Sequence, residues 1–215
     1  MAEFNACRET SAGNIITPKA RLSYPYLLDP NPKAKGKDGK LKYTVSILIP
    51  PTADISLLKK AAGAAANEEF GAEKVKELME LNKFNVPFLD AFEKSRSEKN
   101  PAGDPQFKGW TMLRASSLQK PGLVNAKAEN VDDLSEVYPG RWACVSLRPN
   151  AYPPIDGGNY GVNFWLQNVQ LLDHDTPLAG SAVRAEDEFA PVDTGEGSTT
   201  EDSSGEAASA DSVFG

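Results

Sequence analysis

The chain has 215 residues, of which 23 are basic and 30 acidic, so its net charge is -7. This length fits one domain, or one domain followed by a tail. Two widely separated cysteines and a single histidine argue against a zinc or histidine-rich metal site. No apolar run reaches the roughly 20 residues of a membrane span, and the N-terminal residues lack a secretory signal. We therefore expect a soluble intracellular protein with reduced thiols.

The acidic residues are concentrated at the C-terminal end. Residues 185–215 contain nine acidic residues and no lysine or arginine, which leaves a charge of +2 for residues 1–184. The segment has too few large apolar residues to offset the entropy of ordering, so we predict a disordered tail after a folded domain of residues 1–184. Its tip, with Asp211, Val213 and Phe214, is a candidate partner-binding site. The alternative is a tail that only keeps the protein soluble.

Strand-like alternation and helical spacing follow one another along residues 1–184. Residues 15–28 are typical of a strand interrupted at Pro25, residues 29–40 of a loop, and residues 41–49 of the clearest strand. An insertion around residues 52–83 has helical spacing, with Asp54 as a candidate N-cap and a break at Gly71.

Strands return at residues 110–115, 142–148 and 161–172. In the last of these, Val162, Phe164 and Leu166 share one face, whereas Val169 has the opposite parity, so we predict a β-bulge near Asn168. The order of elements favours a mainly β fold of the α+β class, a small bent sheet or barrel with inserted helices, over a parallel α/β sheet.

Motifs of catalysis are missing from the sequence. It contains no phosphate-binding loop, no dinucleotide fingerprint and no nucleophile elbow. Acidic pairs such as Asp132-Asp133 lack the histidine or second acidic motif of a two-metal nuclease. We therefore expect no enzyme, no catalytic residue, no metal and no cofactor.

Lysines are clustered between the first two predicted strands. Residues 33–42 contain five lysines and one acid. The five are Lys33, Lys35, Lys37, Lys40 and Lys42. Cations in a flexible loop suit contact with phosphates, because each neutralised phosphate releases counterions. An ordinary solvated hairpin tip is the alternative.

Basic and aromatic residues also lie close together on the predicted strands. The candidates are Arg21, Trp110, Arg114, Arg141, Trp142, Arg148 and Tyr152. Single-stranded nucleic acid is held by stacking on aromatic rings and by a cationic groove along its backbone. Trp142 is the best stacking candidate because it lies opposite the apolar face of its strand, although most tryptophans are core residues. Trp165 remains open between the groove and the core, because both sides of its strand look partly apolar.

Several stretches, in order, resemble the single-stranded DNA-binding proteins of tailed phages, an OB-fold family. They are ARLSYPYL (20–27), KYTVSILIP (42–50), FKGWTMLRASS (107–117), PG (121–122), VYPGRWACVSLRPNAY (137–152), GNYGVNFWLQNVQLL (158–172), PLAG (177–180) and AEDEF (185–189). The resemblance implies an OB-fold-like five-stranded barrel with inserted helices and sequence-independent binding of single-stranded DNA. In the family's setting, this function serves phage DNA replication or recombination in the host cytoplasm.

We also expect roles for the lysine loop and for the tail. The lysine loop would act as a mobile clamp at the first strand-connecting loop of the barrel. The acidic tail looks like those of replicative single-stranded DNA-binding proteins, so it would compete with DNA and recruit replication or recombination proteins. The alternatives are a phage structural or assembly protein that does not bind DNA, and a metal-dependent nuclease. We expect no membrane association.

Overall fold

The structure is a computed structural model that describes residues 4–98, 100–154 and 157–178. Its strands are β1 (Arg8–Glu9), β2 (Ile15–Ile16), β3 (Ala20–Lys35), β4 (Leu41–Ile49), β5 (Phe84–Asn85), β6 (Leu89–Asp90), β7 (Thr111–Ser117), β8 (Gly122–Val124), β9 (Trp142–Tyr152) and β10 (Tyr160–Leu171). The α-helices are α1 (Ser56–Phe70), α2 (Ala72–Glu80) and α3 (Ala91–Ser95), and short 3-10 turns span Pro105–Phe107 and Leu134–Glu136. Across these described ranges, every helix is too short or too polar to cross a lipid bilayer.

Five long strands close into a barrel. β3 pairs with β4, β4 with β7, β7 with β10, β10 with β9, and β9 again with β3. In chain order, these strands follow one another around the ring as first, second, third, fifth and fourth, and only the third and fifth are parallel. This is the topology of an OB-fold barrel. The predicted fold class is therefore confirmed.

The barrel interior is filled by alternate side chains of its five strands. Leu22, Ile47, Leu113, Val145 and Phe164 are among the most deeply buried residues and belong to one apolar cluster. Because successive strand residues point to opposite faces, the residues between them point outward. Helix α1 packs its buried side chains against the same cluster.

A β-bulge interrupts the β9–β10 pairing where the sequence predicts one. The register shifts between Leu166 and Asn168, and both Leu166 and Val169 are buried. The extra residue thus turns the second half of β10 back toward the core, which confirms the prediction.

The two longer helices lie within the predicted insertion. Gly71 separates them with a φ of 83°, a conformation that most side chains disfavour. The N-cap of α1 is Ile55 rather than the predicted Asp54, although the Asp54 carboxylate accepts a hydrogen bond from the backbone N–H of Ser56, the first residue of α1, over 2.8 Å.

The predicted loop at residues 29–40 is largely strand. β3 continues to Lys35, and only a tight turn remains, in which the N–H of Gly36 donates to the carbonyl of Lys40. Register shifts interrupt the pairing of β3 with β4 between Ser23 and Lys35, so the hydrogen bonding of this part of the hairpin is irregular. Prolines and lysines obscured the strand in the sequence, because they interrupt the apolar alternation without preventing irregular pairing.

One part of the outer barrel face is covered. Leu48 on β4 lies opposite Met112 on β7, and both point away from the barrel interior. Phe107 and Ala91 bury them in a second, smaller apolar cluster, against which Trp110 also packs. Farther along the same two strands, the outer face is open.

Candidate nucleic-acid interface

A groove lies on the open outer face, between the β3–β4 hairpin and strands β7 and β10. Its volume is about 460 Å³. The residues that line it are Tyr24, Asn31, Ala34, Lys35, Lys42, Thr44, Val45, Ser46, Arg114, Ala115, Ser116, Asn163 and Phe164. The hairpin is held at the side of the groove by a hydrogen bond of 3.0 Å from Asn31 Nδ2 to Thr44 Oγ1.

The groove is cationic. Lys35, Lys42 and Arg114 line it, and none of the described lining residues is acidic. These three side chains form no ion pair with any described residue. Their charges therefore remain available to an anion, and the hydroxyl groups of the lining residues supply further hydrogen-bonding groups.

The remaining predicted lysines are on the hairpin. Lys33, Lys37 and Lys40 are exposed, and Lys40 Nζ lies 3.3 Å from Asp38 Oδ2. They extend the positive charge of the groove outward along the hairpin. None of these three lysines lines the groove itself.

Tyr24 projects into the groove in an unusual backbone conformation. Its φ is 47°, its exposure is 73%, and the β3–β4 register breaks between Ser23 and Tyr26. A positive φ is a genuine outlier for a bulky residue. Such strain persists where the surrounding structure imposes it, and it is frequent in binding sites.

The outer face continues from the groove onto β9 and β10. Trp165 and Arg148 face each other across this pair, and both are exposed. In the next row, Asn150 Nδ2 donates to Asn163 Oδ1 over 3.0 Å. Two of the predicted site residues, Arg148 and Tyr152, therefore lie beside the groove rather than in it.

The hydroxyl end of Tyr152 lies close to Gly161, its pairing partner on β10. A Cβ atom on Gly161 would be 2.5 Å from the Tyr152 hydroxyl oxygen, so only glycine allows this approach. The Tyr152 ring is half-buried as a result.

The structure places Arg21 and Arg141 as buried residues outside the groove, whereas the sequence predicts them in an open groove. Arg21 is 7% exposed and Arg141 is 4% exposed. Arg21 Nε donates to the carbonyl of Gly140 over 3.0 Å, and Arg141 lies 3.2 Å from the Glu136 carboxylate. Both guanidinium groups therefore tie the barrel to its surrounding loops.

Trp110 and Trp142 lie outside the groove as well. Their rings are in contact, with centroids 6.3 Å apart, and both are half-buried. Trp142 Nε1 donates to Asp175 Oδ2 over 2.8 Å. Trp142 does point away from the barrel interior, as the alternation predicts, but residues 173–178 contact this part of the outer face.

Two aromatic residues of the interface were not among the predicted site residues. The sequence pattern does not decide between core and groove for Trp165, and it places Tyr24 on an alternating strand. The sequence signals for Tyr24 are the nearby Arg21 and the adjacent Pro25, since a proline inside a strand indicates a bulge or an edge. The predicted tail residues Asp211, Val213 and Phe214 lie outside the described residues.

The geometry contains no candidate metal centre in residues 4–98, 100–154 and 157–178. No group of three or more histidine, cysteine or acidic side chains in these ranges is placed to hold a metal ion.

The solved structures that match this fold include phage proteins. The single-stranded DNA-binding protein of bacteriophage Enc34 matches with a TM-score of 0.55 at 20% identity, over 87% of this chain and 96% of that chain. The same protein in complex with single-stranded DNA matches with a TM-score of 0.51 at 20% identity, over 83% of this chain and 100% of that chain. The single-stranded DNA-binding protein gp2.5 of bacteriophage T7 matches with a TM-score of 0.53 at 15% identity, over 79% and 96% of the two chains.

Sequence comparisons give one family. No curated protein sequence matches the chain. The family model described as the single-stranded DNA-binding protein of Enterobacter phage Enc34 matches residues 13–203, which is most of the chain. The chain therefore belongs to the family of the Enterobacter phage Enc34 single-stranded DNA-binding protein.

Proposed function

We propose that this protein binds single-stranded DNA in the groove, without sequence preference. The observation that carries the proposal is the combination of Lys35, Lys42 and Arg114 with the exposed ring of Tyr24, in a groove with no acid among its described lining residues. Cations along the backbone and an aromatic platform for a base are the two elements of such binding.

The position of the groove supports the proposal. OB folds bind oligonucleotides on the face of their second and third strands and with the loop between the first and second. In this barrel these are β4, β7 and the turn of the β3–β4 hairpin. A relative with the same fold has been solved with single-stranded DNA bound, and the family is named for that ligand.

The lining chemistry favours binding rather than turnover. Lys35, Lys42 and Arg114 would neutralise phosphates, and a base would stack on Tyr24. Any base offers a face for stacking, so affinity would vary little between sequences. Lys33, Lys37 and Lys40 would add phosphate contacts from the hairpin, which corresponds to the proposed clamp.

We also propose that this activity serves phage DNA replication or recombination. The acidic residues 185–215, with a charge of -9, would compete with DNA for the cationic groove. Asp211, Val213 and Phe214 would recruit protein partners. These roles rest on the sequence, because this segment lies outside the described residues.

Fluorescence anisotropy with labelled oligo-dT tests the proposal. We expect binding that weakens steeply with salt. In a plot of the logarithm of the binding constant against the logarithm of the salt concentration, the slope of Arg114→Ala should be smaller in magnitude by about 0.7 than that of the wild type. Lys76→Ala is the matched control, because it removes one exposed charge from α2, away from the groove. Failure of the wild-type protein to bind, or equal effects of the two variants, would contradict the proposal.

A further inference from the structure

A row of outward-pointing residues extends from the groove across the barrel. Thr44 on β4 lies opposite Ser116 on β7, Ser116 opposite Trp165 on β10, and Trp165 opposite Arg148 on β9. All four side chains are exposed or half-buried. Because neighbouring strands are about 4.8 Å apart, the row spans roughly 14 Å of continuous surface from β4 to β9.

Along β4 and β7, the groove is blocked at one end. Ser46 on β4 lies opposite Arg114 on β7, and both line the groove. Two residues farther along the same strands, Leu48 lies opposite Met112. That pair is buried under the segment that contains Phe107. A DNA strand in the groove therefore cannot continue along β4 and β7 in that direction, whereas the row toward β10 and β9 is open.

Trp165 has the properties of a stacking platform. It alternates with the buried residues Phe164 and Leu166, and 48% of its surface is exposed. In the described part of the chain, no aromatic ring or cation is stacked on its indole. A large exposed indole between polar neighbours is unusual in a protein surface, and its face is free to accept a base.

Arg148 places a cation beside this platform. It is exposed directly opposite Trp165 and forms no ion pair with another described residue. The Asn150–Asn163 hydrogen bond occupies the neighbouring row of the same two strands, so the surface beside Trp165 and Arg148 is polar and ordered.

We propose that Trp165 and Arg148 form a second nucleotide subsite, reached by a DNA strand that leaves the groove across β10. One base stacks on the indole of Trp165, and a phosphate next to it contacts the Arg148 guanidinium. This inference rests on the proposed function of the groove. It assigns the bound strand a course from the groove across β10 toward β9.

Intrinsic tryptophan fluorescence tests the stacking directly. Trp110 and Trp142 are half-buried in contact with each other, so a base in the subsite would quench mainly Trp165. We expect unlabelled oligo-dT to quench the wild-type protein, and Trp165→Phe to lose most of that quenching while still binding labelled oligo-dT. Unchanged quenching in Trp165→Phe would overturn the subsite.

Affinity provides a second, independent readout. Trp165→Ala should weaken oligo-dT binding by roughly fivefold to 150-fold, the factor that corresponds to about 1–3 kcal/mol for one stacked base. Leu134→Ala is the matched control, because Leu134 is an exposed apolar residue outside the groove. Arg148→Ala should reduce the magnitude of the salt slope by about 0.7, compared with no reduction for Lys76→Ala.

The outcomes separate the subsite from the groove. If the wild-type protein binds oligo-dT and Trp165→Ala binds as tightly as Leu134→Ala, the subsite is refuted while the groove proposal stands. If the wild-type protein does not bind at all, both proposals fail. Weakened binding of Trp165→Ala with an unchanged melting temperature, together with lost quenching in Trp165→Phe, supports the subsite.

Discussion

The indole N–H of Trp142 donates to the carboxylate of Asp175 over 2.8 Å, and this bond holds the chain after β10 against the start of β9. Other contacts secure the same segment. Lys19 forms an ion pair with Asp173, and Arg21 donates to the carbonyl of Thr176. Gly140, with a φ of 105°, permits the approach, because a Cβ atom there would be 2.8 Å from the Thr176 carbonyl oxygen. Trp142 is thus part of a structural contact.

Replacing Trp142 should affect stability rather than DNA binding. Trp142→Phe removes the hydrogen bond to Asp175 and keeps most of the ring packing, so we expect the free energy of unfolding to fall by about 1–2 kcal/mol. Affinity for oligo-dT should stay within about twofold of wild type, because the ring lies outside the groove. Urea unfolding and anisotropy measure the two quantities. If Trp142→Phe were stable but bound DNA much more weakly, Trp142 would be part of the DNA-binding surface.

Stability should depend on pH through Asp175. Partial burial opposes ionisation of this carboxyl, but hydrogen bonds from the Thr176 N–H and Trp142, with the charges of Arg21 and Lys19, outweigh it and lower the pKa. The folded state therefore binds a proton less readily than the unfolded state does. This stabilising contribution is present above the ordinary aspartate pKa and is lost as pH falls through the lowered pKa.

The comparison of wild type with Asp175→Asn isolates that contribution. The carboxyls of Asp38, Asp54 and Asp133 also have lowered pKa values, so the wild-type curve alone cannot assign the effect. We expect the stability difference between the two proteins to be largest near neutral pH and to shrink below about pH 4. Urea titrations at constant ionic strength measure it. A difference that does not change with pH would contradict the assignment.

Tyr24 should contribute to binding without contributing to folding. Its ring is 73% exposed, so its removal leaves no cavity. Tyr24→Asn keeps a residue type that tolerates the positive φ, and it should weaken oligo-dT binding by about 1–3 kcal/mol with stability changed by less than about 0.5 kcal/mol. Tyr24→Phe should bind like wild type, because stacking needs the ring and not the hydroxyl. Equal binding of the asparagine and phenylalanine variants would remove Tyr24 from the site.

The two thiols should react slowly in the folded protein. Burial raises the pKa of Cys7 to about 11 and that of Cys144 to about 11. At pH 8 roughly one thiol in a thousand is then ionised, and the thiolate is the reactive form. Labelling with a disulfide reagent should be slow in buffer and fast in urea, with both cysteines modified. Fast labelling of the native protein would show that these sites are more exposed than the structure indicates.

Removal of residues 185–215 should tighten DNA binding. The deletion changes the net charge from -7 to +2, because it removes nine acidic residues and no basic ones. We expect the gain in affinity to be greatest at low salt, where screening of the acidic segment is weakest. Phe214→Ala leaves the charge intact, so DNA affinity should stay the same while any docking of a partner at Asp211, Val213 and Phe214 is lost. Unchanged affinity of the truncated protein at low salt would show that the segment does not compete with DNA.

Local pattern alone determined much of the barrel. The alternation in residues 41–49 and 142–148 identified two barrel strands, and the change of parity after Leu166 identified the bulge. These features were readable because a strand with one buried face repeats every two residues. The lysine cluster was also readable, since its lysines are neighbours in the sequence, but the sequence predicts a loop there and the structure has the irregular end of β3.

Only the tertiary structure decided which outward-pointing residues are open to solvent. Trp142 and Trp165 both point away from the barrel interior, yet residues 173–178 contact the first and leave the second exposed. Alternation distinguishes the two faces of a strand, but it carries no information about a distant segment that covers the outer one. Arg21 is buried for the same reason, because its partners Gly140 and Thr176 come from more than a hundred residues away. The sequence thus determined the barrel and its charge, while long-range packing separated structural residues from those available to DNA.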